Sequence, residues 1–166
     1  KINSVDMMEV FSPPRVTIQA NKFGLKPGDA LVLVTGYDFN RAEDRAKAWE
    51  IIKRDQPSLV VGSPECTMFS ALQNLNRWNN KKQKEYESAR RHLELTCKLY
   101  EYQVAQGRWF LHGHPVAARA WKEGCIRGIM KKQGLSTIIA DQCMFWIEKP
   151  EQMETRSQLP KSPRGL

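Results

Sequence analysis

The chain has 166 residues, 41% of them hydrophobic and 27% charged, with a net charge of +8. That is enough for one domain with a real core and too little for two. No apolar run approaches the roughly 20 residues that cross a bilayer, and the positive excess favours polyanions, nucleic acid first.

The chain opens on Lys1 with no signal-peptide pattern, and reads as a fragment or processed piece of a larger protein. Met7 to Phe11 is a short buried strand ended by Ser12-Pro13-Pro14, and Arg15 to Asn21 is a helical turn. Lys26-Pro27-Gly28-Asp29 is a turn, and Ala30 to Val34 is a second strand. Asn40 is placed to cap a helix over Arg41 to Arg54, with Ala42, Ala46, Trp49 and Ile52 on one face. Ser58 to Gly62 is the third strand, and Phe69 to Trp78 reads as helical. A long helix from about Lys81 to Gln106 carries Tyr86, Ala89, Leu93, Cys97, Tyr100 and Val104 at spacings of three and four, and Gly107 stops it. Arg108 to His112 is a fourth strand. Ala117 to Lys132 is helical, with Ala117, Ala120, Trp121, Cys125 and Ile129 on one stripe, and Ser136 to Ala140 is a fifth strand. An α/β domain over 1–147 is thus followed by a polar, Pro-containing tail over 148–166, flexible or docking.

Cys66, Cys97, Cys125 and Cys143 are far apart and include no C-x-x-C pair, which predicts reduced thiols in an intracellular protein, cytoplasmic or nuclear. Trp49, Trp109 and Trp121 read as core, whereas Trp78, among Asn76, Arg77, Asn79 and Asn80, is expected to be exposed on a basic surface.

Strands alternating with helices predict an α/β class: a doubly wound, mostly parallel sheet of five or slightly more strands with helices on both faces. With right-handed crossovers the natural strand order is 2-1-3-4-5, whose switch point lies between strands one and three. The loops Ser12-Pro13-Pro14-Arg15 and Ser63-Pro64-Glu65-Cys66 meet there, so Cys66 is expected at the ligand crevice. A thiol in that place acts as a nucleophile, a metal ligand or packing. His112 and His114 are read onto opposite faces of the strand end, which argues against a shared metal, and no metal site is assigned. Asp141-Gln142-Cys143 is expected to line the same crevice.

The stretch Gly62-Ser63-Pro64-Glu65-Cys66-Thr67-Met68-Phe69-Ser70 resembles the nucleophile loop of DNA cytosine-5 methyltransferases, G-x-P-P-C-x-x-F-S, with Glu65 in place of a proline. Glu9 to Thr17 resembles that family's first motif, an acidic residue and Leu-Phe-Ser before a glycine-rich turn. Trp109 to Pro115 stands where the family has Phe-Leu-x-Glu-Asn-Val. The motifs fall in family order over Met8 to Trp146, and similar compact segments occur inside large polyproteins of mobile elements.

The resemblance implies a Rossmann-like methyltransferase fold that takes S-adenosylmethionine and methylates cytosine in nucleic acid, DNA ahead of RNA. Cys66 would add to carbon-6 of a flipped base, since a thiolate adds and leaves readily near neutral pH. Phe11, Ser12, Pro13, Arg15, Asp38 and Pro64 stand where the cofactor would bind, and Ser70, Arg77, Trp78 and Gln142 where nucleic acid would. Three departures go with it. Gly113 occupies the family's glutamate position, Pro13-Pro14 replaces the Gly-x-Gly, and the nearest acid after the second strand is Asp38. Glu65 and His114 are the candidates to take over the acid role. The competing reading is the same fold with decayed catalysis, kept as a module that binds nucleic acid or protein. A third is a different thiol enzyme or metal protein on the same sheet.

Overall fold

The computed structural model describes residues 4–75 and 77–140. The chain falls into two units, residues 1–135 and 136–166. The first unit holds an all-parallel sheet of four strands: β1 (Met7–Val10), β2 (Pro27–Leu31), β3 (Leu59–Gly62) and β4 (Trp109–His112). Their order is β2-β1-β3-β4, as expected for the first four strands, and the class is α/β. The expected fifth strand does not form. Ser136 to Ala140 is irregular, and Ile138 and Ile139 are exposed. Such a short apolar run holds as a strand only where both faces are covered, and here both isoleucines stay exposed.

Helix α1 (Val16–Ala20) follows β1, α2 (Ala42–Asp55) precedes β3, α3 (Asn80–Ala105) joins β3 to β4, and α4 (Gly124–Met130) follows β4. The ladder aligns Met8 with Val60 and Val60 with Phe110, and Val10 with Gly62 and Gly62 with His112. This face meets α3: Tyr100 stacks on Phe110 with ring centroids 4.2 Å apart. Ala48 and Ile52 of α2 join the same core, with Leu93, Leu99 and Phe69. The opposite face carries Glu9, Val61 and Leu111, and α1 covers its β1–β2 half. Helices on both faces are what right-handed crossovers produce from this order.

The β4 edge of that second face is open among the described residues, while Val61 of β3 beside it is buried. Trp109 is 72% exposed and Leu111 53%, which corrects the reading of Trp109 as core. The cause is topological: α4 packs on α3, so it does not return across the far side of β4.

Four local readings also shift. β2 starts at Pro27, three residues early, because Gly28 lets Met8 and Val5 pack where a Cβ would sit, 2.8 Å and 2.9 Å away. Proline is tolerated at a strand's first residue. Asn40 does not cap α2; Arg41 precedes the helix, and the Asn40 amide oxygen accepts from the Ser88 hydroxyl and Arg91 of α3. The buried stripe of α2 runs through Asp44, Ala48, Ile52 and Asp55, while Ala42 and Ala46 are exposed and half-buried Trp49 meets Tyr102 edge-on. The expected helices over 69–78 and 117–132 are broken into 3-10 turns (Thr67–Phe69, Ala71–Leu75, Arg119–Lys122) and the short α4.

Candidate active site

Three strand exits meet at the carboxyl edge of the sheet. Ser63 N–H donates to the Val10 carbonyl (3.1 Å) and Gly113 N–H to the Gly62 carbonyl (3.0 Å), so the loops after β1, β3 and β4 leave side by side. This is the switch point of the order, where such sheets bind ligands.

The β1 exit is built around Glu9, which is fully buried. Its carboxylate accepts from the backbone N–H groups of Arg15 (3.0 Å), Val16 (3.0 Å) and Thr17 (2.8 Å), and from the hydroxyls of Thr17 (2.6 Å) and Ser12 (3.0 Å). Burial alone would raise its pKa, but the hydrogen bonds from Thr17, Val16 and Ser12 outweigh it and hold the carboxyl below its ordinary value. The loop is therefore shaped by an acid where the resembled family uses glycines. Phe11 adopts φ 61°, a left-handed conformation rare outside glycine, and its ring lies on Phe39 (4.6 Å) and His92 (5.1 Å). Ser12 is buried, Pro13 exposed, and the Arg15 side chain is exposed. Asp38 is half-buried and accepts from the Asn40 N–H at 3.0 Å.

The β3 exit carries the thiol. Gly62 sits directly under α3: a Cβ there would overlap the Tyr100 hydroxyl and lie 3.1 Å from Thr96 Cγ2. Pro64 is buried, Glu65 exposed and Cys66 half-buried, and the Cys66 carbonyl accepts from Phe69 N–H at 2.9 Å. Phe69 is buried and seats the loop, while half-buried Ser70 turns the chain onward, its Oγ accepting from Leu72 N–H.

The β4 exit brings two imidazoles together. The rings of His112 and His114 stack at 5.1 Å with an interplanar angle of 11°. This corrects the assignment to opposite faces: residues two apart along extended backbone share a face. Trp121 meets both edge-on, at 5.5 Å and 6.1 Å, and Phe69 flanks His114 at 6.3 Å. The Tyr100 hydroxyl lies 3.1 Å from His112 Nδ1. His112 Nε2 and both ring nitrogens of His114 are buried without a partner. Burial, with His114 beside it, pushes His112 down to about 4, and burial lowers His114 as well. Between the two histidines, a Cβ on Gly113 would press on the Ser63 hydroxyl at 3.1 Å, so a side chain there requires that hydroxyl to shift.

One residue the sequence reading passed over is His92. It sits on α3 against Phe11, with Nε2 buried and unpartnered. Burial and then Arg91 lower its pKa, while the charges of Asp38 and Glu65 oppose them. On the sequence it is one polar residue in an amphipathic helix, and no local pattern marks it.

Arg77 and Trp78 lie away from the strand exits, before α3. Both are exposed, and the Trp78 indole N–H donates to Gln83 (3.0 Å). An aromatic chain joins them to the crevice, from Trp78 to Tyr86 (5.8 Å), Tyr86 to Phe69 (5.8 Å), and Phe69 to His114. Gln142 and Cys143 lie outside the described residues. Among the described residues no three His, Cys, Asp or Glu side chains are grouped to hold a metal. No described helix is long and apolar enough to cross a membrane.

Compared with known proteins, the chain matches no family model, no curated protein and no solved structure.

Proposed function

We propose that this chain is a methyltransferase-like domain of the cytosine-5 type, acting on cytosine in nucleic acid with Cys66 as nucleophile. The observation that carries the reading is the convergence of the half-buried Cys66, the Glu9-shaped loop and the stacked, half-buried His112–His114 pair at one sheet edge.

Cys66 adds to carbon-6 of the base, which makes carbon-5 nucleophilic. S-adenosylmethionine, when bound, supplies the electrophilic methyl group. The donor set at the β1 exit suits an amino-acid cofactor with a ribose: Arg15 offers an exposed guanidinium for a carboxylate, and Asp38 a half-buried carboxylate for hydroxyls. Phe11, Ser12, Pro13 and buried Pro64, from the loops after β1 and β3, would complete the cofactor's surroundings. The group that hydrogen-bonds the base ring is His114, whose ring nitrogens have no partner and which burial keeps in the uncharged form, so that it donates an N–H without giving up the proton; Glu65, exposed beside Cys66, is the alternative. Ser70, Arg77 and Trp78 supply the nucleic-acid contacts, with Trp78 as a stacking platform.

A specific observation favours the second reading, a binding module with decayed catalysis. Gly113 supplies no carboxylate, and that of Glu9 is fully engaged by its own loop.

Calorimetric titration with S-adenosylmethionine, followed by trapping on DNA and RNA containing 5-fluorocytosine, separates the two. Cofactor binding with a covalent adduct that vanishes in Cys66→Ser supports the enzyme. An adduct seen only after Gly113→Glu, which the Ser63 hydroxyl must turn aside to admit, supports decayed catalysis. No cofactor binding and no adduct in either form would sink the enzyme reading.

A further inference from the structure

Away from the crevice, the seam between α2 and α3 gathers cations and aromatic rings in two facing rows. Both helices connect parallel strands, so they run in the same direction across the sheet. On α2, Arg45, Trp49 and Lys53 recur every four residues; on α3, Arg91, Lys98 and Tyr102 recur at spacings of seven and four. Such spacings put each trio on one face of its helix. Two hollows lie between the rows. One, of about 280 Å³, is lined by Arg45, Trp49, Arg91 and Lys98; the other, of about 670 Å³, by Trp49, Lys53 and Tyr102. Ala46 and Trp49 belong to both, so the two form one shallow groove. From Arg45 to Lys53 it follows α2 for about 12 Å.

Two guanidinium groups converge at one end of this groove. Arg45 Nη1 donates to the carbonyls of Phe39 and Asn40, at 2.8 Å each, and Arg91 Nη1 donates to Asn40 Oδ1 at 3.3 Å. Asn40 therefore gathers two cations instead of capping α2. Each guanidinium keeps further N–H groups with no partner among the described residues. Among those residues no carboxylate pairs with Arg45, Arg91, Lys53 or Lys98. The acids on the groove are Glu94, drawn to Arg90 at 3.2 Å, and Glu50. Like charges held together repel, and an anion seated between them removes that cost. At the other end the cations lie over rings: Lys53 is 5.7 Å from the Trp49 centroid and Arg108 5.3 Å from that of Tyr102.

We propose that the groove between α2 and α3 binds a single strand of nucleic acid, with Arg45, Arg91 and Lys98 on its phosphates and Trp49 and Tyr102 against its bases. The planar guanidinium fork matches phosphate oxygens. Stacking on an aromatic ring takes any base, because every base has a π-face. A duplex keeps its bases inside and would leave both rings unused, which is why the occupant is a single strand. The net charge of +8 draws a polyanion toward the molecule from a distance. The guanidinium end is the end nearer the crevice: Arg91 adjoins His92, and the rings of His92 and Phe39 both lie on Phe11 at the β1 exit. The strand is held in the groove and not altered there, so the inference stands whether or not Cys66 reacts.

The test uses the full chain and a fluorescein-labelled oligothymidylate, with no cytosine and no S-adenosylmethionine, so its outcome is separate from that of the cytosine chemistry. Arg91 and Lys98 are exposed on α3 and can be neutralised together without opening the core. In the double variant Arg91→Gln/Lys98→Gln, anisotropy at several salt concentrations is expected to show weaker binding. Its slope of log affinity against log salt should be shallower by about 1.4, roughly 0.7 for each lost phosphate contact. Parent affinity and slope in that variant would overturn the proposal. The parent chain tests the rings: a strand carrying 5-bromodeoxyuridine is irradiated on the protein and the digest mapped by mass spectrometry. The expected adduct lies on the peptide of Trp49 or Tyr102. Adducts confined to the Trp78 peptide, or none at all, would overturn the stacking. Phosphatidylserine vesicles that bind through Arg91 and Lys98, where the oligonucleotide does not, would give the groove to a lipid surface and sink the nucleic-acid assignment.

Discussion

Two buried contacts at the carboxyl edge make quantitative demands on single residues. Gly62 matches the resembled nucleophile motif, but its structural reason is the Tyr100 hydroxyl lying where a Cβ would go. Gly62→Ala is therefore expected to cost about 1–3 kcal/mol by overpacking, read from urea denaturation. Tyr100→Phe removes the obstructing oxygen, so the double variant should recover part of that loss, and strictly additive costs would contradict the contact. His112 sets a pH dependence. Burial lowers it from 6.5 to about 4, so it is neutral in the folded chain at neutral pH. The unfolded chain binds that proton first as pH falls. Its contribution to stability is thus complete above about 6.5 and is lost as pH drops toward about 4. His112→Gln keeps an acceptor for Tyr100 and should make the fall in stability across that window shallower, the rest being carried by His114 and His92, which burial also lowers; an unchanged slope would show that His112 carries none of it.

Elements with a regular period were readable in advance, and elements fixed by distant partners were not. The 26 residues of α3 fall within a residue of their expected bounds, because a long amphipathic stripe and Gly107 (φ 67°) define them locally. β1, β3 and β4 were legible for the same reason, as short runs bounded by turn residues. β2 was misplaced because its start is decided by Met8 and Val5 packing over Gly28, across the ladder. α1 shows the same dependence in its energetics. Five residues cannot sustain an isolated helix, and here the first turn is held by the buried carboxylate of Glu9. Glu9→Gln is expected to cost about 1–3 kcal/mol, because buried donors lose their charged acceptor. Backbone N–H groups of Arg15 to Thr17 should exchange hydrogen faster in that variant, and unaltered protection would mean that α1 stands without the carboxylate. In the parent chain the depressed pKa of Glu9 gives a contribution present above its ordinary 4.5 and lost as pH falls below it, under the window assigned to His112.

At the scale of the whole molecule, topology carried the site further than any motif did. The order β2-β1-β3-β4 brings Cys66 beside the β1 loop whichever residues fill the loops, so the crevice was legible from strand succession. The histidine pair and His92 were not, because their meeting depends on α3 crossing the sheet at Gly62 and on the turn that folds Trp121 back over β4. The open β4 edge with Trp109 and Leu111 was hidden for a related reason: local sequence cannot say which way the chain goes after β4. The charge of +8 is the one global property that bears on function directly. If the chain binds nucleic acid through Arg77 and Trp78, the two should contribute by different physics. Arg77 is exposed and acts on phosphate, so Arg77→Ala should weaken binding alike across sequences and reduce the slope of log affinity against log salt by about one. Trp78 is 48% exposed and offers a ring face to a base, so Trp78→Ala should cost about 1–3 kcal/mol with the salt slope unchanged. Fluorescence anisotropy with a labelled single strand at several salt concentrations measures both terms. Parent affinity and slope retained in both variants would move the polyanion surface elsewhere. The shallow groove of about 280 Å³ between α2 and α3, lined by Arg45, Trp49, Arg91 and Lys98, offers the same pairing of cation and aromatic ring and is where charge-reversal variants would next be made.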